Sequence, residues 1–201
     1  MAVGYDALER AYSEKKVRRD LMTLKHSSTV ARAARLIASR VKDLDAEEMA
    51  RWGLFHDIGK LYIRPEQAYK HPRKGFEVMA MEEKTALPLA CLLHPFPDLK
   101  NEEFINFFFK EDEEEIVSWR RIVAECPRDL LEGKGIQLIQ LCDKLSGIDQ
   151  FVTLEEKFAW YAKDATPPPF VAAQEEAYRE LKAKFDNDIQ GDIYELLGIA
   201  A

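Results

Sequence analysis

Residues 54–60 read LFHDIGK. An apolar run ending in Leu54 and Phe55 meets an adjacent histidine and aspartate, His56 and Asp57, and then Ile58, Gly59 and Lys60. Burying two such polar groups without partners costs several kcal/mol. Either each finds a partner or something sits between them. The residues leading into the stretch, DAEEMARWGLFHD (45–57), carry a helix-start signature: Asp45 stands as the N-cap and Glu48, three residues on, as its capping-box partner. The inward face of that helix runs Met49, Trp52, Gly53 and His56, so His56 belongs to the buried side.

The same 3.6-residue period continues on both sides. Over 26–42, HSSTVARAARLIASRVK, the residues Val30, Ala33, Ala34, Ile37, Ala38 and Val41 share one face. Residues 5–22 read as a charged, modestly amphipathic helix. HPRKGFEVMAMEEK has Pro72 where a first helical residue belongs, with His71 as the cap. ALPLACLLH is a short apolar helix stopped by PFPD, because the residue before a proline is biased out of the helical region. Residues 102–109 and 113–125 predict two further helices. The segment 135–151, GIQLIQLCDKLSGIDQF, is apolar nearly all round, as a central buried helix would be. TPPPF (166–170) is a stiff break before a charged helix over 171–190. Alternating strand patterns are nearly absent. The expectation is an all-α, single-domain helical bundle over residues 1–165, with a helical extension over 166–201 packed on the same domain.

The 201 residues can bury a sizeable core, and 47% hydrophobic with 32% charged is ordinary for a soluble globular chain. No apolar run approaches the ~20 residues of a membrane span, and the charged start of the chain does not resemble a secretion signal. Cys91, Cys126 and Cys142 are few, odd in number and not closely paired, which argues against a disulfide framework or a thiolate zinc site. A reducing, cytoplasmic setting is expected. A net charge of −7 gives no general attraction for a polyphosphate backbone, so non-specific nucleic-acid binding is not expected. Much of the acidity sits in KEDEEEI (110–116), read most simply as a solvated helix face or turn.

Every histidine falls at an inward or helix-end position. His26 continues the stripe 30, 33, 37, 41; His56 follows Met49, Trp52 and Gly53; His94 follows Leu87, Ala90 and Cys91; His71 opens a helix. Asp143 follows Ile136 and Ile139 inside the most apolar helix, and Asp57 adjoins His56. A single buried histidine is ordinarily a hydrogen-bonded core residue. Six such placements together are explained more economically by one cause, a divalent cation that turns desolvated imidazoles and carboxylates into ligands. Mixed His and Asp ligation without thiolate suits one or two ions of Mn, Fe, Co, Ni or Zn.

The order His26, then His56-Asp57 within LFHDIGK, then Asp143 within LCDKLSG resembles the H…HD…D signature of the HD-domain superfamily of metal-dependent phosphohydrolases. The resemblance covers roughly residues 20–150 and implies an all-α bundle with a metal at its centre, held by His26, His56, Asp57 and Asp143. His71 and His94 resemble the two additional histidines of binuclear members, in which Asp57 would bridge two metals. KHPRKGFEVM keeps the His-Pro of the cyclic-di-nucleotide phosphodiesterase branch, but LLHPFPD stands where that branch has paired histidines and Gly-Tyr-Pro. The implied reaction is hydrolysis of a phosphoester or phosphoanhydride of a nucleotide or other small phosphorylated molecule by a metal-activated water. Lys60 lies one turn beyond His56 and can meet a phosphate there; Arg73 and Lys74, in a first helical turn, are further substrate-binding candidates. Phe96, Phe107, Phe108 and Trp119 are candidates for stacking on a base, though aromatic residues at helical spacing more often form core. Two other readings share the pattern: an HD-fold di-iron oxygenase cleaving C–C or C–P bonds, and a non-catalytic sensor. For residues 152–201, covering the pocket, a homodimer contact and capping of the core are all open.

Overall fold

The computed structural model describes residues 18–82, 86–161 and 170–199 and is all-α. Among the described residues extended backbone pairs only at an isolated antiparallel bridge between Ser146 and Phe151. Most of the helix expected over 5–22, and the prolines of 166–169, lie outside the described residues.

Helix α1 spans Arg18–Ala38 and buries Val30, Ala33, Ala34 and Ile37 completely. It ends four residues earlier than the stripe suggests. The amides of Arg40 and Val41 turn to the carbonyls of Ile37 and Ala38, a tightened last turn, and Asp43 then adopts φ 70°. Helix α2, Ala46–Phe55, begins as expected: the Asp45 carboxylate accepts the Glu48 amide at 2.7 Å. Met49, Trp52, Gly53 and His56 all face inward. The glycine is required by a close crossing, since a Cβ at Gly53 would stand 2.9 Å from the Ala31 backbone of α1.

Beyond α2 the chain tightens into 3-10 turns, Ile58–Tyr62 and Pro65–Lys70, and runs straight into α3, His71–Glu82. His71 is therefore the first residue of the helix rather than its cap. Helix α4, Leu87–Leu93, stops at His94 as the following proline requires. Helices α5 (Glu102–Phe108) and α6 (Glu113–Glu125) pack Phe96, Phe109 and Trp119 together in a buried aromatic cluster. The acidic run is only partly solvated. Asp112 caps α6, while Glu115 is buried at 2% exposure against Arg73 and Lys70.

After a short α7 (Arg128–Leu131) comes α8, Lys134–Lys144, which touches α1, α2, α4 and a later helix α10, Phe170–Ile189. This is the central helix that the apolar composition foretold. It ends at Lys144 rather than 151, because residues 146–151 fold into a loop closed by the Ser146–Phe151 bridge and by the Gly147 amide on the Gln150 carbonyl. Helices α9 (Leu154–Tyr161) and α11 (Ile193–Leu197) are short and carry no legible stripe. Helix α10 packs on α8 and α9 and buries Tyr178 and Phe185; α11 packs on α1.

Candidate metal centre

Five elements deliver six polar side chains to one point. His26 comes from the body of α1, His56 from the end of α2, Asp57 from the residue that follows, His71 from the start of α3, His94 from the end of α4, and Asp143 from the end of α8. Asp57 stands between two groups. Its Oδ1 lies 3.1 Å from His71 Nε2 and 3.4 Å from His94 Nε2, and its Oδ2 lies 3.5 Å from His56 Nε2. Asp143 Oδ1 lies 2.9 Å from His26 Nε2 and 3.5 Å from His56 Nε2. Ligand atoms of His26, His56 and Asp57 all fall within 4.8 Å of one another, as do those of Asp57, His71 and His94.

The backbone decides how the imidazoles face. His26 Nδ1 meets the Gly147 carbonyl at 2.9 Å, His56 Nδ1 that of Gly53 at 2.7 Å, His71 Nδ1 that of Ala68 at 2.6 Å and His94 Nδ1 that of Cys91 at 2.9 Å. A carbonyl can only accept, so each Nδ1 carries the proton and each neutral ring turns an Nε2 lone pair on the centre. In three of the four cases the carbonyl is three residues earlier in the chain: the ends of α2 and α4 orient His56 and His94, and the 3-10 turn before α3 orients His71. Such backing of a histidine through its second nitrogen is the usual support of a metal ligand.

That arrangement sets acceptor against acceptor. The Nε2 atoms of His71 and His94 approach to 3.1 Å, and other Nε2 atoms look at carboxylate oxygens. His56 Nε2 and Asp57 Oδ1 are buried without a hydrogen-bond partner among the described residues. Lone pairs converging in a dry interior repel unless a cation lies between them, so the donor set fits a divalent metal. Burial draws His94 down to about 3, with His56 and His71 pulling the same way against Asp57. Burial, followed by Lys60, also lowers His71. For His56 burial acts downward but Asp57 and Asp143 outweigh it, leaving the ring raised. Burial opposes ionisation of Asp57, yet Lys60 and His56 hold it well below the carboxylate range. Asp143 is held low in the same way, mainly by Lys144 and His26. Both carboxylates are thus anionic at neutral pH.

Three ammonium groups border the cluster. Lys60 Nζ lies 2.5 Å from Asp57 Oδ2, Lys144 Nζ lies 2.6 Å from Asp143 Oδ2, and half-buried Lys157 donates to the Ser146 carbonyl at 2.8 Å. Burial lowers Lys157 most, with Lys144 and Lys60 acting the same way against Asp143 and Asp57. Lys60 was foreseen from the sequence. Lys144 was not, although it adjoins Asp143; Lys157 had no sequence signal, because the loop over 145–151 brings it in. Arg73 turns to the acidic helix α6, its Nη2 and Nε 2.6 and 2.7 Å from the two Glu115 oxygens, and also pairs with Glu77; Lys74 lies 3.2 Å from Glu77.

Neighbouring contacts brace the candidate ligands. Gln140 on α8 donates to the Leu93 and Phe96 carbonyls on either side of His94, and the Tyr178 hydroxyl reaches the His94 carbonyl at 3.4 Å. Gly59 explains the glycine of LFHDIGK: a Cβ there would sit 2.0 Å from the His71 carbonyl oxygen, so only glycine lets the turn seat against α3.

A family model for the HD domain matches residues 23–126, which include His26, His56, Asp57, His71 and His94. Asp143 lies beyond the matched range, and the fold returns it to within hydrogen-bond distance of His26. Comparison with curated proteins and with solved structures gives no match. The matched range takes in half of the chain, and its ordered histidines and aspartate meet at one point: the protein belongs to the HD domain family.

Proposed function

We propose that this protein is a metal-dependent phosphohydrolase that cleaves a phosphoester or phosphoanhydride of a nucleotide or other small phosphorylated molecule with water. His26, His56, Asp57 and Asp143 would hold one ion, and His71 and His94 a second, with Asp57 between them. The observation that carries the reading is the hold of all four Nδ1 atoms on backbone carbonyls, which turns the Nε2 of His26 toward Asp143, those of His71 and His94 toward Asp57, and that of His56 toward both carboxylates. When bound, such an ion supplies an acidified water and positive charge against the phosphoryl oxygens.

The chain's own groups do the remainder. Lys60 keeps Asp57 ionised and presents an ammonium at the edge of the cluster, where an anionic phosphoryl group would rest. Lys144 and Lys157 add charge of the same sign. Arg73 and Lys74 would take a substrate role only by exchanging their Glu115 and Glu77 partners for the phosphate. We take α10 and α11 as an extension of the same domain, supported by the Tyr178 contact behind His94. A cytoplasmic setting is supported by the free cysteines, and no helix among the described residues is long and apolar enough to cross a membrane.

Elemental analysis of purified protein, coupled to a phosphate-release screen over mono-, di- and dinucleoside polyphosphates, tests the reading. Mn- or Co-dependent release that is absent in Asp57→Ala is expected. Two irons per chain with O2 uptake and no phosphate release would replace the hydrolase with an oxygenase on the same ligand set.

A further inference from the structure

Next to the cluster the surface opens into a recess of about 370 Å3, within the range of small-ligand sites. Lys60 and His71 form its inner end, so it begins one side chain away from Asp57. Ala68, Tyr69, Phe107, Phe108 and Lys110 complete the lining. Among the described residues no carboxylate contributes to the lining.

Two features of the recess are unusual for mere surface. Phe107 is 57% exposed while Phe96, Phe109 and Trp119 close by are buried, and its ring leans on Phe170 at 4.6 Å. An aromatic face of that size is left in water beside a candidate active site. The turn that follows α5 is the second feature. Its Glu111 amide returns to the Asn106 carbonyl, and Lys110 and Glu111 adopt φ 54° and 58°. Glycine takes that left-handed conformation freely, whereas lysine and glutamate do not. The turn holds Lys110 Nζ 5.3 Å from the centre of the Tyr69 ring. Meanwhile the Phe108 ring stands 6.0 Å from that of His71, so aromatic surface runs outward from the candidate ligand.

We propose that this recess receives the organic body of the substrate and selects a flat aromatic group, with the phosphate at the Lys60–His71 end. The inference rests on the phosphohydrolase reading for the placing of the phosphate; the ring preference rests on the recess alone. A ring entering here removes its own faces and that of Phe107 from water and meets aromatic walls in edge or offset contact. A small polyol ester would leave the same walls wet. Lysines stand among the lining residues, Lys60 paired with Asp57 and Lys110 over the Tyr69 ring, whose hydroxyl donates to Asp112.

The test uses the metal-loaded full chain and two non-hydrolysable probes that share a head group, phenylphosphonate and methylphosphonate, titrated by calorimetry. Phenylphosphonate binds about tenfold tighter, and Phe107→Ser cuts that preference to below about threefold with metal content and circular dichroism unchanged. Phe107 is exposed, so its loss leaves the core intact. Lys110→Glu weakens phenylphosphonate several-fold more than methylphosphonate. Equal affinities, binding of neither probe, or a preference that survives both substitutions would overturn the inference. Hydrolysis of phenyl phosphate and glycerol phosphate is followed in parallel. A ring preference without turnover of either ester or of any nucleotide in the phosphate-release screen leaves the recess standing and removes the phosphohydrolase reading. Turnover of both with equal kcat/KM and equal phosphonate affinity does the reverse.

Discussion

Asp57 is in contact distance of three imidazoles and one ammonium, so it does more than any other single group to hold the centre together. His94 by contrast offers one nitrogen. Asp57→Ala should therefore lose both metal equivalents, whereas His94→Ala should lose at most the one shared with His71; equal losses by elemental analysis would remove the shared role of Asp57. Lys60 belongs to a different class of residue. It pairs with Asp57 without being a ligand, so Lys60→Met should keep its metal and lose on the order of a hundredfold in kcat/KM for phosphate release, the usual result of removing one charge-stabilising donor. A variant with full metal and unchanged kcat/KM would place the ammonium outside the chemistry. The convergence of the four histidines was legible in the sequence because a histidine on an apolar stripe is conspicuous, and four of them invite one cause. Lys157 was not legible: its place depends on how six loop residues turn after α8, which no periodicity encodes.

At the scale of elements, two joints keep the candidate ligands in register. The first is the seat of the turn over Ile58–Tyr62 on α3, where Gly59 meets the His71 backbone. Gly59→Ala forces those backbones apart and should cost about 2–3 kcal/mol, at the upper end for overpacking, with His71 displaced from the centre. Denaturant unfolding and metal stoichiometry check both halves; an alanine variant as stable as the parent would show that the seat yields. The second joint is the buried pairing of Glu115 on α6 with Arg73 on α3, with Lys70 3.4 Å from the same carboxylate. Arg73→Ala should destabilise by about 2 kcal/mol, less than a fully orphaned buried charge because Lys70 remains. A rise in KM without loss of stability would instead assign Arg73 to substrate. The amphipathic and all-apolar helices, α1, α2, α4 and α8, were readable because their faces are wide and their stops carry proline or cap chemistry. The 3-10 turns, α9 and α11 were not, since they are too short to show a period and take their shape from what they pack against.

The whole molecule couples folding to the charge state of this centre. In the metal-free protein His94, at about 3, and His71 are held below their unfolded value of 6.5, so both stay neutral when folded and take up protons on unfolding. From 6.5 down to about 3 for His94, and from 6.5 down to its own lowered value for His71, the unfolded chain binds more protons, and stability must fall as pH falls through that window. The slope approaches about 1.4 kcal/mol per pH unit for each such group. Asp57 and Asp143 act in the same direction lower down: their folded values lie below 3.8, so the stability they contribute above it is lost as pH drops further. His56 opposes them, since its raised value contributes stability below 6.5 that fades as pH rises through the folded value. Two lowered imidazoles against one raised one leave a net loss on acidification. A bound ion adds a second dependence, because it stabilises only the folded chain, by about 4 kcal/mol at a thousandfold excess over Kd, and needs its ligands deprotonated. The melting temperature after chelation should therefore decline steadily from about pH 7 to about pH 5, and Mn2+ should raise it far more at the upper pH than at the lower. A chelated protein whose melting temperature is level across that range, and which gains nothing from added metal at neutral pH, would mean that the imidazoles are satisfied without a cation.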